Sequence, residues 1–331
     1  MTAEGRTAVV TGGAGFLGSH LVARLLDLGC RIVCVDDLST GLLRNVSGFA
    51  ATSSFRLVER DVTLLGGLAD VEQVDFVLHL ASPAAPTDYL RDPLRTLRCG
   101  SAGTDWCLRL AARHGARFLL ASTSEVYGDP AMHPQGEEYR GNVNPVGPRS
   151  AYDEAKRYAE ALTAAFARSE GLSVAIARIF NTFGPRMRPH DGRVIPQFVR
   201  QALAGQSLTV HGDGAQTRSF CYVDDLVDGL VALLRSDVQQ PVNLGNPEEV
   251  TVNELARIVS DAAGVPVRTS MRSARQEDPS RRRPDIAVAR RLLGWSPRID
   301  LHDGVGRTVA WFRDLHRCAP AENRSHQTAQ R

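Results

Sequence analysis

The stretch TAVVTGGAGFLGSH, Thr7–His20, runs from a short apolar segment into closely spaced glycines and then into a helical pattern. A strand that breaks into glycines and reopens as a helix is the context a dinucleotide-binding turn requires. Gly13, Gly15 and Gly18 fit GxGxxG, and Gly12, Gly15 and Gly18 also fit GxxGxxG. Glycine is needed here because a Cβ would block a pyrophosphate from the backbone and keep the helix off the strand. The helix start then offers unpaired N–H groups and a positive dipole end to phosphates. Asp36 closes the next apolar run, RIVCVD, about 20 residues on, where an acid accepts ribose hydroxyls. An acid at that point disfavours a 2′-phosphate, so NAD is expected over NADP. Asp61 and Val62, after the third apolar run, are placed to meet the adenine. A glycine-rich turn without a ligand is the competing reading, and Asp36 weighs against it.

Working outward, apolar runs alternate with helical patterns at intervals suited to βαβ units. Strands are predicted at 7–11, 31–36, 55–60, 74–80, 117–122, 173–179 and 241–245. SHLVARLLDLG is a helix closed by Gly29, and YDEAKRYAEALTAAFARSEG one closed by Gly171. Near-continuous apolar strands imply a parallel sheet covered on both faces. The fold class is therefore α/β, a Rossmann-type doubly wound sheet with a smaller C-terminal substrate-binding lobe. The pattern changes after Asn181, where NTFGPRMRPHDGR is rich in Pro, Gly and Arg. The division expected is an NAD-binding part at 1–180, rejoined by 220–248. A substrate lobe takes 181–219 and 249–315, and a polar, aperiodic, disordered tail takes 316–331.

With 331 residues, 43% of them hydrophobic, the chain can bury a large core. Its 39 basic and 37 acidic residues leave a net charge of +2, without the basic excess of a nucleic-acid surface. The six cysteines are scattered, with no CxxC pair, and read as buried thiols of a reducing compartment; no metal site is expected. No apolar segment approaches the ~20 residues of a spanning helix. The first apolar run is too short for a signal peptide, so a soluble, cytoplasmic protein is expected.

Chemistry enters in two segments. Tyr152 and Lys156 of YDEAK stand four apart and share one helix face. An ammonium beside a phenol favours phenolate and lowers the tyrosine pKa. YxxxK alone is a common accident, and an exposed pair is its bland explanation; its place after a Rossmann half changes that balance. In LLASTSEVYGDP, Leu119–Pro130, a core strand ends in Thr123, Ser124 and Glu125, with Thr123 placed to hydrogen-bond the same substrate hydroxyl.

Here the chain resembles the extended short-chain dehydrogenase/reductase superfamily, and within it the UDP-glucuronate decarboxylases (UDP-xylose synthases). The resemblance runs from about Arg6 to Phe312. It rests on HLASPAAP, LLASTSEVYGDP, NPVGPRSAYDEAKR, RIFNTFGPRM, DGRVIPQFV, QTRSFCYVDDLV, PVNLGNPEE and RRRPDI. Relatives that are 4,6-dehydratases should carry Asp-Glu after the threonine, and 4-epimerases small residues at Glu125. Ser124-Glu125 matches the decarboxylases.

The resemblance implies a redox-neutral cycle on UDP-glucuronate. C4 is oxidised by NAD, the resulting β-keto acid loses CO2, and the 4-keto intermediate is reduced to UDP-xylose. Thr123, Glu125, Tyr152, Lys156 and Arg282 are implied as catalytic. Implied cofactor contacts are Gly12, Gly15, Phe16, Leu17, Gly18, Asp36, Asp37, Ser39, Thr40 and Gly41. Asp61, Val62, Leu80, Ser82, Cys99, Tyr152, Lys156, Thr182 and Arg193 complete that set. Substrate contacts implied are Pro83, Tyr89, Arg98, Ser124, Asn181, Arg193, His211, Arg218 and Arg282. An arginine pair suits a diphosphate through its fixed fork of donors. Helices around 102–114 and 152–170 imply a homodimer built on a four-helix bundle.

The chain departs from the family at TLRCG, where TLKTN is usual, and at His211, where a tyrosine is usual. Arg98 keeps the positive charge expected near substrate, Cys99 replaces a threonine near NAD, and Gly100 replaces an asparagine. His211 leaves uridine against thymidine open. A decarboxylase that releases the 4-keto pentose and NADH would use the same residues. A catalytically silent NAD-binding regulator is the reading from a different class, and retention of both Tyr152 and Lys156 weighs against it.

Overall fold

The computed structural model describes residues 4–64, 71–273 and 281–318. In chain order it begins with β1 (Thr7–Thr11), α1 (Phe16–Asp27), β2 (Arg31–Asp36), β3 (Phe55–Glu59) and β4 (Phe76–His79). Short helices α2 (Pro86–Tyr89) and α3 (Pro93–Arg98) precede α4 (Thr104–His114), β5 (Arg117–Thr123), α5 (Ser150–Glu170), β6 (Val174–Ile179) and β7 (Thr182–Phe183). Next come α6 (Val194–Leu203), β8 (Leu208–His211), β9 (Thr217–Ser219), β10 (Cys221–Tyr222), α7 (Val223–Arg235) and β11 (Pro241–Leu244). The last are β12 (Glu249–Thr251), α8 (Val252–Ala263), β13 (Thr269–Arg272), α9 (Ala287–Leu293) and α10 (Leu301–Cys318).

The seven strands anticipated from the apolar runs form one sheet in the order β11-β6-β5-β4-β1-β2-β3. Every pairing in it is parallel. Because side chains alternate across a strand, neighbouring residues feed opposite cores. Ala8 and Val10 of β1 join α1 and α7 on one face, while Val9 joins α4 on the other. The order reverses between β2 and β4 around β1, so a crevice opens at the carboxyl ends of these strands. Gly29 and Gly171 follow α1 and α5 at φ +81° and +65°, closing both as expected.

Between α3 and α4 the chain widens into one π-helical turn, Cys99–Gly103. A Cβ on Gly100 would lie 2.6 Å from the Ala155 Cβ and 2.7 Å from its carbonyl oxygen. This turn therefore rests directly on α5, one residue before Lys156, and has no room for an asparagine side chain in that packing.

Beyond Asn181 the chain forms three two-stranded ladders that the hydrophobic pattern did not reveal: β7 with β10, β8 with β13 and β9 with β12. The segment before α9 is laced to residue 135. The Gln135 amide donates to the Arg283 carbonyl (2.8 Å), and the Asp285 amide to the Gln135 carbonyl (2.8 Å). That lacing carries Arg282 to the carboxyl end of the sheet. Farther on, the Trp295 indole donates to the Asp225 carbonyl (2.9 Å), while an Asp225 carboxylate oxygen accepts the Arg298 and Ile299 amides (2.9 and 2.8 Å). Of the tail expected to be disordered from residue 316, residues 316–318 belong to α10, and the rest lies outside the described residues.

Candidate active site

A cavity of about 820 Å³ occupies the crevice, and its walls come from both the first turn and the late segments. At its floor the β1–α1 turn has Gly12 at φ +71°, where a Cβ would come within 2.6 Å of the Ala81 amide nitrogen. A Cβ on Gly18 would fall 2.1 Å from the Gly12 carbonyl oxygen, so only glycine lets α1 start this close to the strand. Helix α1 begins without a capping side chain or an acid in its first turn, leaving its N–H groups and dipole to an anion. Ser82, also on the cavity wall, has a buried hydroxyl with no hydrogen-bond partner among the described residues. Asp36 ends β2 with its carboxylate accepting the Ala14 and Leu38 amides (both 2.9 Å). Burial pushes its pKa up against those bonds. This donor set and the glycine cradle fit a dinucleotide.

Gly15, Phe16, Leu17, Asp37, Ser39 and Thr40 border the cavity, as do Val62, Leu80, Ser82, Cys99, Thr182 and Arg193. Burial raises the Cys99 thiol to about 11, so it stays protonated. Three expected contacts stand elsewhere. Gly41 supports Asp36 from behind: a Cβ on it would lie 2.6 Å from a carboxylate oxygen. Asp61 is turned into an ion pair with Arg95 (3.5 Å) and caps Thr63. Arg98 is exposed and off the cavity wall, because it falls on the face of α3 opposite the buried Thr96. Arg95 takes its place on the wall and also pairs with Asp37.

The catalytic candidates Thr123, Glu125, Tyr152, Lys156 and Arg282 all line the same cavity. Lys156 donates to the Ala121 carbonyl (2.8 Å), and its nitrogen lies 6.0 Å from the Tyr152 ring centre. Burial lowers the Lys156 pKa to about 8. The Tyr152 phenol is shifted upward, by burial first and by Glu125 next, although the Thr123 hydroxyl bond works the other way. The expected depression of that phenol by Lys156 is absent here, since burial outweighs an ammonium weakened by the same burial.

Glu125 is held by two arginines. Arg282 meets its carboxylate with two nitrogens (2.6 and 2.8 Å), and Arg149 with one (2.7 Å). Burial opposes ionisation of Glu125, but the Arg282 and Arg149 charges outweigh it and hold its pKa below the usual carboxylate range. Arg149 also lies over the Tyr89 ring (5.9 Å), which stacks on Tyr152 at 5.1 Å and 10°. The carboxylate is thus tied to the catalytic tyrosine through a chain of planar groups.

Pro83, Ser124, Asn181, His211 and Arg218 complete the expected substrate side of the cavity. His211 Nδ1 donates to the Ser273 carbonyl (3.0 Å), and the Thr182 hydroxyl donates to the Phe180 carbonyl (2.9 Å). Two walls are clasped to each other. Arg188 pairs with Asp88, Thr87 donates to the Asp191 carbonyl (3.1 Å), and Arg193 donates to the Ala84 carbonyl (3.2 Å).

The pattern reading missed Arg95, Arg149 and Arg188 as wall residues. Arg149 had a usable signal: it stands at the helix start three residues before Tyr152, opposite an acid that needs a cation. Arg95 had none, because side-chain direction on a helix that widens into a π-turn does not follow from spacing.

Residues 8–245 match the model of the NAD dependent epimerase/dehydratase family. The chain is 50% identical over 309 residues to UDP-glucuronic acid decarboxylase 1 of Xenopus tropicalis, covering 92% of this chain and 72% of that one. It is 49% identical over 313 residues to UDP-glucuronic acid decarboxylase 2 of Arabidopsis thaliana, covering 94% and 69%. Among solved structures it is similar to an epimerase of Methanothermobacter thermautotrophicus, with 30% identity, a TM-score of 0.86 and coverage of 95% and 94%. The UDP-glucuronic acid 4-epimerase of Bacillus cereus, solved with UDP-glucuronic acid and NAD, is 26% identical with a TM-score of 0.83, covering 93% and 99%.

Gly18→Ala tests the cradle. NAD affinity, read by fluorescence titration, is expected to fall at least about tenfold, since the methyl has no space beside Gly12. Unchanged affinity would refute the placement of the pyrophosphate.

Proposed function

The chain belongs to the NAD dependent epimerase/dehydratase family, among relatives named UDP-glucuronic acid decarboxylases, and on that premise we propose that it converts UDP-glucuronate to UDP-xylose. The observation that carries this reading is Glu125, ionised between Arg149 and Arg282 beside Thr123 and Tyr152. Bound NAD, held by the Gly12–Gly18 turn and Asp36, would supply a reversible hydride acceptor for C4 of the sugar. Tyr152 Oη takes the C4 hydroxyl proton while Thr123 orients that hydroxyl. Tyr152 accepts that proton as a phenolate, the form the Lys156 ammonium stabilises, and the transfer leaves it a phenol. A ketone at C4 lies β to the C6 carboxylate, so CO2 leaves with its bonding electrons entering the carbonyl. The guanidiniums of Arg282 and Arg149 face the carboxylate and the enolate charge that follows. Protonation at C5 by solvent, return of the hydride to C4 and return of the Tyr152 proton to the C4 oxygen complete UDP-xylose. Glu125, an ionised acceptor, holds a sugar hydroxyl and takes part in proton handling. The late arginines Arg193 and Arg218 are assigned to the diphosphate, with His211 and Asn181 beside the nucleotide.

In this reading residues 1–180 and 220–248 carry the cofactor, and 181–219 with 249–315 the sugar nucleotide; return of the chain to the sheet at β11 supports that division. Buried free cysteines at positions 30, 34, 99, 107 and 221 favour a reducing, cytoplasmic setting. Among the described residues no helix is long and apolar enough to cross a membrane. We assign a homodimer to the α4–α5 face, where Tyr158 is 51% exposed.

Incubation with UDP-glucuronate and NAD+ should give a product lighter by one CO2 in mass spectrometry. No mass change would overturn the reaction, and accumulation of NADH with one equivalent of substrate would favour release of the 4-keto pentose. Glu125→Gln should lower turnover by at least about a hundredfold with NAD affinity unchanged, as expected for a group engaged in charge and proton handling. Near-normal turnover would remove Glu125 from the mechanism. Light scattering should give twice the chain mass, and a monomer alone would refute the pairing.

A further inference from the structure

Behind the Glu125 cluster lies a second acid that the mechanism leaves unused. Asp153 follows Tyr152 on α5 and stands one turn from Arg149 on the same side of the helix. It is only 6% exposed, and its Oδ1 has no hydrogen-bond partner among the described residues. Among the described residues no cation lies within ion-pairing distance of it. Arg149, one turn back along the helix, is committed to Glu125 and to the Tyr89 ring, and Lys156, one turn on, donates to the Ala121 carbonyl. The Tyr89 hydroxyl is likewise buried without a partner. The charged and titratable groups acting on Asp153 are Glu125 from the turn after β5, Arg282 from the segment before α9, and Arg149 and Glu154 from its own helix. Tyr89 of α2 feels it in turn.

A buried carboxylate with neither a hydrogen bond nor an ion pair is costly, and taking up a proton removes that cost. Burial first, and the Glu125 charge second, push the Asp153 pKa up to about 7. The charge count of the cluster then depends on this one proton. Glu125, Arg149 and Arg282 sum to one positive charge; an ionised Asp153 would cancel it.

We propose that Asp153 acts as a neutral carboxylic acid, leaving the Arg149–Glu125–Arg282 cluster one positive charge in excess, and that this excess selects a C6 carboxylate over a C6 hydroxymethyl group. Asp153 does not line the cavity, so it is a positioning residue that sets specificity through the arginines. The inference rests on the reading of the site as one for UDP-glucuronate.

The test compares UDP-glucuronate with UDP-glucose, which differ only at C6. Their dissociation constants are measured by calorimetry on NAD-loaded protein, in a Tyr152→Phe background that blocks turnover, from below to above neutral pH. The preference for UDP-glucuronate should fall about tenfold as pH rises through neutrality, the order of effect of one unit charge roughly 10 Å away at an effective dielectric of about 20. Asp153→Asn, which imitates the neutral acid in shape, should keep the high preference at every pH. Lys156 also titrates in this range, and a step that belonged to Lys156 instead of Asp153 would persist in the Asn variant. A preference without a pH step, or a step that persists in Asp153→Asn, overturns this inference and leaves the substrate reading standing. Absence of any preference at every pH overturns both. Should the Asn variant fold poorly, difference infrared spectra of the parent protein across the same pH range must show loss of a protonated carboxyl band alongside the change in preference; its absence overturns the inference.

Discussion

Two guanidiniums on one carboxylate join parts of the chain that are far apart in sequence. Glu125 leaves the end of β5, Arg149 opens α5, and Arg282 arrives from the segment before α9. Each ion is nearly removed from water, where an unpaired charge would cost several kcal/mol. The arginines therefore depend on the carboxylate: removing Glu125 leaves two guanidiniums together without a counter-charge, whereas removing either arginine leaves one balanced pair. Their meeting point ties the late segments to the sheet and sets the wall against which the tyrosine pair, Tyr89 and Tyr152, is stacked. Such a cluster contributes little net stability over an apolar one, so its place beside Thr123 and Lys156 is explained by chemistry better than by folding.

The sheet behind it was legible because parallel strands buried on both faces must be apolar over their whole length. Seven such runs gave seven strands, with ends shifted by only a residue or two, as at Phe76–His79 within 74–80. The glycines of the first turn were legible for a related reason: each marks a contact that no Cβ can enter. By contrast, ladders such as Thr182–Phe183 with Cys221–Tyr222 are two residues long and join segments far apart in the chain. Nothing periodic announces them.

Within the site, most residues on backbone turns and strand ends line the cavity, Gly41 and Asp61 excepted, while side-chain choices between near neighbours did not follow from spacing. Arg95 and Arg98 are alike in type and spacing, and only the packing of α3 through Thr96 and Cys99 decides which one meets Asp37. The phenol of Tyr152 shows the same limit in energetic form. Spacing established that Lys156 is close, but not that burial would govern both groups. Asp153 was hidden for a third reason: an acid inside a helical pattern reads as solvated until its neighbours are known.

The clasp between the loop around Thr87–Asp88 and the segment Arg188–Arg193 bears on how such a catalyst uses its dinucleotide. Opening these walls means breaking an ion pair and two hydrogen bonds together, so a molecule enclosed between them exchanges slowly with the pool outside. A reaction that returns its hydride to the same carbon has no need of that exchange. A dinucleotide enclosed behind such a clasp would behave as a fixed part of the machine, and the pace of the cycle would then be insulated from the balance of oxidised and reduced nucleotide in the surrounding cell.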